Sequence, residues 1–505
     1  MKITGAFNNA QTQPETVMIM GSSGKIGLAA VQMVLDRGYK VIALDYNDSI
    51  NKGKLIDAGF EDAMQSGHLT RAQADAYNVE DLRIKIRMSN PDLCISTLEK
   101  GQMSYNASFA AAINGKNYVS SNFLTEDARE GLDKLTKQSA HTDHNSFEAL
   151  LAENDASSAW GRGLDPGLDS WVYLQALEHF KGGEVNDIIS VGAGISEKPE
   201  DIYFKTWEGI TSGMGHRPAT FIRNNEKIDV SATTKFAPFN RLGFENIQLK
   251  NGMLVETYMN DDGCLDLVEQ AKEMGIDTSN IKFAATLTGR HVGHSKFWNP
   301  LVKDLNILDN TRVYEEEMSM KTLIQDLLHK KYETAPNNLL FKSLASFEKD
   351  LMKQDFLSKA PLGTGTAKDL TERHLSNIYP CVEGKSDLSI IFVRIEGKDA
   401  EGTNITKTLE LKSLGDPTLS GHTSMQKTVA GTLVRTGVQT LEGKTPRGLT
   451  RPRHDTQNGK DTLEDMIKSK LITLEDHNPE IKIKHEPQAH KDEGENFNFT
   501  SAQGM

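Results

Sequence analysis

A glycine-rich turn near residue 21 constrains the fold more than any other feature of the sequence. The segment GSSGKIG (21–27) follows the apolar run TVMIMG (16–21). It also begins the segment KIGLAAVQMVLDRG (25–38), whose apolar residues recur at helical spacing and which ends on a glycine. Short apolar strands followed by such helices are typical of parallel sheets in α/β proteins. The spacing Gly-x-x-Gly-x-x-Gly therefore predicts a tight strand–turn–helix unit in an α/β fold.

The same turn predicts a binding site for a dinucleotide. A turn without side chains lets the backbone approach a pyrophosphate, and the start of the helix offers free N–H groups and a positive dipole end. The second strand, YKVIALD (39–45), ends in Asp45, where such sites place an acid that binds the ribose 2′-hydroxyl. Because a carboxylate repels a 2′-phosphate, NAD is favoured and NADP is the alternative. The residues expected to hold the cofactor are Gly21, Ser22, Ser23, Gly24, Lys25, Ile26, Gly27 and Asp45.

A simpler explanation exists for this turn. A glycine turn that only packs a strand against a helix needs no cofactor. Lys25 could contact a phosphate, or it could be a solvated lysine at the start of a helix. The position of Asp45 after the second strand is what favours the cofactor site.

The pattern of strands and helices changes character near residue 184. PDLCIST (91–97) and NYVSSN (117–122) are apolar strands with the helical segment ASFAAAINGK (107–116) between them, which extends the parallel sheet. Beyond residue 184 the strand-like runs alternate polar and apolar residues, which predicts a mixed or antiparallel sheet in a second domain. These runs are 184–196, 226–232, 253–259 and 282–293, and helical segments at 165–180 and 264–275 lie between some of them.

The last third of the chain adds a helical region, two strands and a closing helix. Residues 300–376 are mostly helical in pattern and rich in Lys, Glu and Leu. Strands follow at 388–400 and 407–414, and a helix at 424–437 is expected to end on its last glycine, Gly437. From about residue 478 the sequence has few large apolar residues, so we expect a flexible tail.

Composition excludes several classes of protein. The chain has 505 residues and a formal net charge of −13, which argues against a general nucleic-acid binder. Its three cysteines, Cys94, Cys264 and Cys381, form no C-x-x-C pair, so we expect neither a disulfide framework nor a metal site. No run approaches the ~18 apolar residues of a membrane span. These features predict a protein of the cytoplasm that binds neither membranes nor nucleic acids.

The segment GLDPGLD (163–169) resembles the G-x-D-P-G-x motif of the saccharopine dehydrogenase (reductase) family. The similarity continues in the family's order on both sides of this motif and spans about residues 16–455. Other matching residues are Ile95, Ser96 and Thr97; Val119, Ser120 and Ser121; Tyr203, Trp207 and Arg217; Thr288, Gly289 and Arg290; Ser424, Met425, Thr428 and Val429; and Arg447, Gly448 and Pro452.

The resemblance implies a Rossmann dinucleotide-binding domain interrupted by an α+β substrate-binding and dimerisation domain, in a homodimer. The expected boundaries are 1–164 for the Rossmann domain and 165–423 for the second domain, including the helical part at about 300–376. The segment 424–477 returns to the Rossmann domain, and 478–505 is the tail. Ser96 and Thr97 are expected beside the nicotinamide.

The family interconverts a secondary amine and an imine, which implies an oxidoreductase of a small amine or amino-acid substrate, as in lysine metabolism. Asp165 is the expected catalytic residue because a carboxylate stabilises a changing positive charge on nitrogen. It could instead cap a helix starting at Pro166. Substrate contacts are expected from Ser121, Asn122, Trp207, Thr288 and Arg290. Their alternative roles are an ordinary strand-end serine at 121, a core tryptophan at 207 and a surface or ion-paired arginine at 290.

Three departures from the family pattern leave the substrate open. Asn122 stands where the family has a tyrosine, Gly192 where it has a cysteine, and Asp261 where it has an arginine that binds a carboxylate. The acid at 261 favours a polyamine-branch enzyme, similar to homospermidine synthase or carboxynorspermidine dehydrogenase, whereas Arg290 favours a saccharopine-like substrate. The missing residues also fit a non-catalytic NAD-binding protein. His291 and His294 are candidate acid–base groups or structural histidines.

Overall fold

The computed structural model describes residues 15–98, 101–198, 218–231, 247–259, 263–334, 356–378, 384–418 and 421–477. The predicted tail (478–505) and the candidate residues Trp207 and Asp261 lie outside these ranges. So do Tyr203, Arg217 and Cys381. Within the described residues, none of the helices is long and apolar enough to cross a membrane.

The described strands, in chain order, are β1 Thr16–Met20, β2 Lys40–Asp45, β3 Leu69–Gln73, β4 Leu93–Ser96, β5 Asn117–Ser120, β6 Ser157–Ala159, β7 Glu184–Ser196, β8 Ala219–Arg223, β9 Glu226–Val230, β10 Ile247–Gln248, β11 Leu254–Met259, β12 Phe283–His291, β13 Val313–Ser319, β14 Pro361–Thr366, β15 Asp387–Lys398, β16 Asn404–Leu414, β17 Gly448–Thr450 and β18 Thr473–Asp476.

The described α-helices are α1 Lys25–Leu35, α2 Asp48–Asp57, α3 Glu61–Gln65, α4 Val79–Ser89, α5 Gly101–Ile113, α6 Glu126–Gln138, α7 Phe147–Glu153, α8 Leu168–Leu177, α9 Gly263–Glu273, α10 His294–Asn299, α11 Met320–Thr334, α12 Ala367–Ile378, α13 Ser424–Leu441 and α14 Thr456–Lys468. Short 3-10 helices lie at Glu178–Phe180 and Pro452–His454, and a π-helical segment lies at Pro300–Asp304.

The first sheet is parallel throughout, in the order β17-β6-β5-β4-β1-β2-β3. Alternate residues of β1 face opposite layers, as expected for a strand buried on both sides. Met18 and Met20 pack with residues of α4 to α7, whereas Val17 and Ile19 pack with residues of α1, α2 and α13. Helices on both faces of a parallel sheet make this a Rossmann-like α/β layer, which confirms the predicted fold class.

The second sheet is mixed and runs β10-β11-β12-β7-β15-β16-β18, with β8 pairing β12 and β9 pairing β8. β7 and β12 are parallel, and β15 pairs β7 and β16 in the antiparallel sense. α8, α9 and α14 contribute apolar residues to one of its faces, including Val172, Leu267 and Met466. The predicted mixed sheet is therefore present.

The region 300–376 contains a strand pair as well as helices. β13 and β14 pair with each other in the antiparallel sense and lie beside α11 and α12. In β13 only Tyr314 and Met318 point into the core, and three glutamates between them are exposed. That charged strand has no clean alternation, which is why the sequence pattern indicated helix here.

The closing helix α13 is longer than predicted, because it continues past Gly437 to Leu441. A Cβ atom added to Gly437 would lie 2.9 Å from Ile95 Cδ1 and 2.9 Å from Leu93 Cδ2. The glycine therefore allows close packing of the helix on β4 and does not terminate it. At its other end the helix is capped by Thr423, whose side chain and that of Gln426 form a capping box.

Candidate functional site at the carboxyl edge of the parallel sheet

The glycine turn is a tightly closed connection between β1 and α1. Gly21 has a φ of +81°, a conformation that favours glycine. A Cβ atom added to Gly27 would lie 2.1 Å from the carbonyl oxygen of Gly21, so the first turn of α1 can pack beneath the loop only without a side chain there. The N-cap residue, Gly24, has no side chain to bind the first N–H groups of α1. This cradle fits the phosphates of a dinucleotide.

Asp45 joins the end of β2 to the glycine turn. Its carboxylate accepts hydrogen bonds from Ser23 N (3.0 Å) and Ser23 Oγ (2.7 Å), and also from Tyr46 N (2.8 Å). The side chain is 8% exposed. Asp45 therefore lies at the predicted place beside the turn, and it holds Ser23 there.

The other residues of the turn differ in their hydrogen-bond partners. Ser22 is buried, and its Oγ lies 3.2 Å from Leu44 O and 3.0 Å from Asn51 Oδ1, so it points into the protein. Lys25 and Ile26 begin α1, and the Lys25 carbonyl accepts a hydrogen bond from Gln426 Nε2 at 2.8 Å. Gln426 lies in α13, so the closing helix contacts the start of α1. No local sequence pattern could have revealed this contact.

Ser96 and Thr97 follow β4 next to the turn. Thr97 Oγ1 lies 3.0 Å from Met20 O and 3.1 Å from Gly21 O. It is also 3.0 Å from where a Cβ atom of Gly21 would stand. Ser96 is fully buried. The structure thus brings Thr97 against the glycine turn, and its expected place beside a nicotinamide stays a prediction.

Ser121 and Asn122 follow β5 and contact the segment that carries Asp165. The Asn122 side-chain nitrogen donates to Leu98 O at 2.6 Å and to Ser104 Oγ, and the Asn122 carbonyl accepts from Gly161 N at 2.9 Å. A Cβ atom on Gly163 would lie 3.2 Å from Ser121 Cβ. The side-chain nitrogen of Asn122 therefore links the end of β5 to the segment after β4 and to α5.

Asp165 lies in the turn Gly163–Gly167 that leads into the second sheet's layer. The helix that follows begins at Leu168 with Gly167 as its N-cap residue, and Asp169 Oδ1 accepts from Gly167 N at 2.6 Å. The alternative of Asp165 as the cap of a helix starting at Pro166 is therefore wrong. The Asp165 carboxylate instead lies over β7, with Oδ2 2.8 Å from an ideal Cβ on Gly192.

Thr288 and Arg290 lie on β12, beside β7. Thr288 pairs with Gly192 in the register of the two strands. Arg290 is 8% exposed, which excludes the surface alternative, and its Nη1 donates to Gly289 O at 2.8 Å and Gly194 O at 3.3 Å. Its Nε is buried without a hydrogen-bond partner. Glu256 stands opposite, with its two oxygens bound by the N–H groups of Gly293 (2.7 Å) and Ser295 (2.8 Å).

The two candidate histidines lie where β12 leads into α10, with His291 ending the strand and His294 beginning the helix. His291 Nε2 is 2.9 Å from Ser196 O and 3.1 Å from Ser196 Oγ. Burial, with the charges of Arg290 and His291, holds the pKa of His294 well below its usual value of 6.5. Its ring stacks on Tyr258 at a centroid separation of 6.3 Å. A buried, neutral imidazole of this kind is a poor proton donor at neutral pH.

Taken together, the structure joins two groups of candidate residues. The turn, Asp45 and Thr97 form one group at the carboxyl ends of β1, β2 and β4, where open α/β sheets bind ligands. Ser121 connects this edge to the turn of Asp165, which reaches Gly192 of the second sheet and so the strand pair that carries Thr288 and Arg290. No group of three or more His, Cys, Asp or Glu side chains in the described part of the chain is arranged to hold a metal.

Comparison with known proteins gives a family and a fold. Residues 163–471 match the model of the saccharopine dehydrogenase C-terminal domain. The apo histidine-tagged saccharopine dehydrogenase (L-Glu forming) from Saccharomyces cerevisiae superposes with a TM-score of 0.68 at 15% identity, covering 92% of this chain and 100% of that one. At this identity the superposition shows the fold alone. A search of curated proteins finds no match.

Smaller overlaps involve only part of the chain. A short chain dehydrogenase/reductase family oxidoreductase from Burkholderia thailandensis matches over 30% of this chain and 68% of that one, at 14% identity and a TM-score of 0.20. Such an overlap supports no conclusion. The family model covers more than half of the sequence. The chain therefore belongs to the saccharopine dehydrogenase family.

Proposed function

We propose that this protein is an NAD-dependent oxidoreductase that acts on the C–N bond of a secondary amine or imine. One observation carries the proposal: Asp165 projects its carboxylate over β7 from a turn whose Gly163 contacts Ser121 at the carboxyl edge of the parallel sheet. A carboxylate in that place stabilises an ammonium or iminium next to a bound nicotinamide. Membership of the family supports the same chemistry.

The cofactor preference rests on Asp45. The carboxylate is nearly buried and already accepts two hydrogen bonds from Ser23. A 2′-phosphate placed against it would meet a second negative charge in a poorly solvated position, whereas a 2′-hydroxyl would donate to it. NAD is therefore preferred, and we expect NADH to bind at least tenfold more tightly than NADPH in fluorescence titrations.

The residues divide the work of catalysis between them. We expect the glycine turn and the start of α1 to hold the pyrophosphate, with Thr97 next to the nicotinamide end; Ser96 is fully buried and can act only from behind it. The cofactor supplies hydride transfer when it is bound. Asp165 would orient the substrate nitrogen and balance its charge, and Ser121 and Arg290 are the proposed ligands for a carboxylate of the substrate. Thr288 pairs with Gly192 beneath Asp165.

The substrate is tested by measuring reduction of NAD⁺ and NADP⁺ by the purified protein with saccharopine, homospermidine and carboxynorspermidine. Turnover of saccharopine would support the lysine-metabolism substrate, for which Arg290 is suited. Turnover of the polyamines alone would assign the polyamine branch. Binding of NADH without oxidation of any amine would contradict the enzyme and leave a non-catalytic NAD-binding protein.

The role of Asp165 is tested by the substitution Asp165→Asn. We expect kcat for the accepted amine to fall about 10²-fold or more, because the charge facing the substrate nitrogen is lost. The dissociation constant for NADH should not change. The substitution Asp57→Asn, at an exposed position near the end of α2, is the matched control. An equal effect of both substitutions would remove Asp165 from the site.

Assembly as a homodimer is a further proposal, which rests on the family resemblance. Sedimentation velocity at micromolar concentration decides between a dimer and a monomer of 55.9 kDa.

A further inference from the structure

The face of β7 that Asp165 covers carries two glycines, Gly192 and Gly194. Residues at alternate positions of a strand share a face. From Ile188 onward, this face presents Ile188, Ser190, Gly192, Gly194 and Ser196 in turn. Ile188 packs in the apolar core beneath α8, whereas the two glycines lie farther along the strand. The strand therefore offers bare backbone at two consecutive positions of the face that Asp165 covers.

The three atoms nearest to the missing side chain of Gly192 belong to Asp165. An ideal Cβ at residue 192 would lie 2.8 Å from Asp165 Oδ2, 3.4 Å from its Cβ and 3.5 Å from its Cγ. These three nearest atoms all belong to one side chain, and none belongs to the backbone. A methyl group at 192 would therefore push the carboxylate aside without forcing the strand to move.

Gly194 has the same geometry with a different neighbour. A Cβ atom there would lie 2.8 Å from Cε of Met425, the end of a flexible side chain in the first turn of α13. Gly192 and Gly194 thus share a strand, a face, a clash distance and a movable obstacle. They differ in which side chain would be displaced, a carboxylate or a thioether methyl.

We infer that Gly192 is a positioning residue, whose missing side chain fixes the place of the Asp165 carboxylate against β7. The inference rests on the proposed function, because it concerns the group that faces the substrate nitrogen. In this chain a Cβ atom at 192 would stand 2.8 Å from Asp165 Oδ2 and would displace the carboxylate from its present place on β7. A family member with a cysteine at this position must therefore hold its aspartate differently. The glycine at this position thus belongs with Asp165 as one functional unit.

The substitution Gly192→Ala tests this in comparison with Gly194→Ala. We expect both variants to fold, with similar melting temperatures and the wild-type dissociation constant for NADH. For the amine that the wild type oxidises, Gly192→Ala should lower kcat about 10²-fold, the size of effect that a misplacement near 1 Å produces. The loss at Gly194→Ala should be at least tenfold smaller. Equal losses in the two variants would overturn the inference.

A double-mutant cycle separates positioning from a general structural role. If residue 192 acts through Asp165, adding Gly192→Ala to Asp165→Asn should lower kcat by less than twofold, since the carboxylate is already absent. Losses that multiply in the double variant would show that residue 192 acts independently and would contradict the inference.

Crystal structures of the wild type and of Gly192→Ala provide a test that needs no activity. The inference requires the Asp165 carboxylate to move away from β7 in the variant while the strand stays in place. An unmoved carboxylate would overturn it. If the wild type binds NADH but oxidises no amine, the proposed function fails, and the structures still decide whether Gly192 positions Asp165.

Discussion

At the scale of single residues, the site depends on places where a side chain is missing. The cradle beneath the glycine turn exists because Gly27 leaves room for the carbonyl of Gly21. The obstacle there is backbone, in contrast to the flexible side chains above Gly192 and Gly194. A substitution at Gly27 must therefore move the turn itself.

Replacement of Gly27 by alanine should destabilise the protein and weaken cofactor binding together. The added Cβ would stand 2.1 Å from Gly21 O and 2.8 Å from Ser22 Cα. Overpacking of this kind costs roughly 1–3 kcal/mol, and we expect the dissociation constant for NADH to rise at least tenfold. Urea unfolding and fluorescence titration measure the two effects.

The control is Gly53→Ala in α2, where nothing lies within 4 Å of the added atom. Alanine replaces glycine inside a helix at that position and should stabilise the protein by about 0.5–1 kcal/mol. NADH binding that is unaffected by Gly27→Ala would show that the turn does not contact the cofactor.

Acid should weaken the fold partly through His294. Its pKa is held well below 6.5 in the folded protein, so the unfolded chain takes up a proton on this ring at a higher pH than the folded chain does. Stability is therefore fully present above pH ~6.5 and is lost as the pH falls toward the folded pKa, by up to about 1.4 kcal/mol per pH unit.

The substitution His294→Phe keeps a ring against Tyr258 and removes the titrating group. The free energy of unfolding, measured from pH 8 to pH 5, should fall less steeply for this variant than for the wild type. Parallel curves for the two proteins would show that His294 makes no contribution to acid sensitivity.

At the scale of elements, α13 shows what a sequence pattern can and cannot reveal. The sequence pattern at 424–437 predicts a helix, and one is present. The predicted end at Gly437 is wrong, because a glycine that packs on a strand and a glycine that ends a helix look alike in sequence. The contacts with Leu93 and Ile95, more than 300 residues earlier, distinguish them.

At Gly437 we expect alanine to destabilise the helix, although alanine normally stabilises a helix relative to glycine. Glycine to alanine inside a helix normally stabilises it by about 1 kcal/mol. Here the added atom would lie 2.9 Å from two buried side chains, so we expect Gly437→Ala to lower the free energy of unfolding by about 1–2 kcal/mol. Gly431→Ala in the same helix, with nearest atoms at 3.3 Å, should cost less. Greater stability of Gly437→Ala than of the wild type would contradict this packing.

Four strands of the first sheet were predictable because the apolar runs of β1, β2, β4 and β5 reveal their type without tertiary information. The other three strands were not predicted, because their sequences are polar or only three residues long. The charged strand β13 and its pairing with β14 could not be read in the same way. Sequence motifs identify Asp45, Thr97 and Asp165 as candidate residues. The packing of Asp165 against Gly192 is a tertiary contact between the turn 163–167 and β7, and no local pattern predicts it.

At the scale of the whole molecule, α13 contacts both sheets. Ala430, Leu433 and Val434 pack with Val17 and Ile19 of the parallel sheet. At the start of the helix, Ser424 Oγ lies 2.7 Å from Ser389 Oγ on β15 of the second sheet. The predicted boundaries at 164 and 423 therefore separate segments that depend on one another.

A chain truncated after residue 423 should not form a stable parallel sheet. Removal of α13 and β17 would expose the apolar face that contains Val17 and Ile19 and leave the edge of β6 unpaired. We expect loss of NADH binding and strong binding of a hydrophobic dye. A chain truncated after residue 477 keeps every described element and should bind NADH like the full chain. Normal NADH binding by the shorter chain would refute this dependence.

The pairing of β17 with β6 has a consequence for how the protein is made. At about 5–20 residues per second, the roughly 290 residues between Ala159 and Gly448 take on the order of 15–60 s to emerge from a ribosome. During that time the nascent parallel sheet lacks both its seventh strand and its closing helix. Its apolar face is then a target for chaperones, and the start of α1 gains its hydrogen bond from Gln426 only near the end of translation.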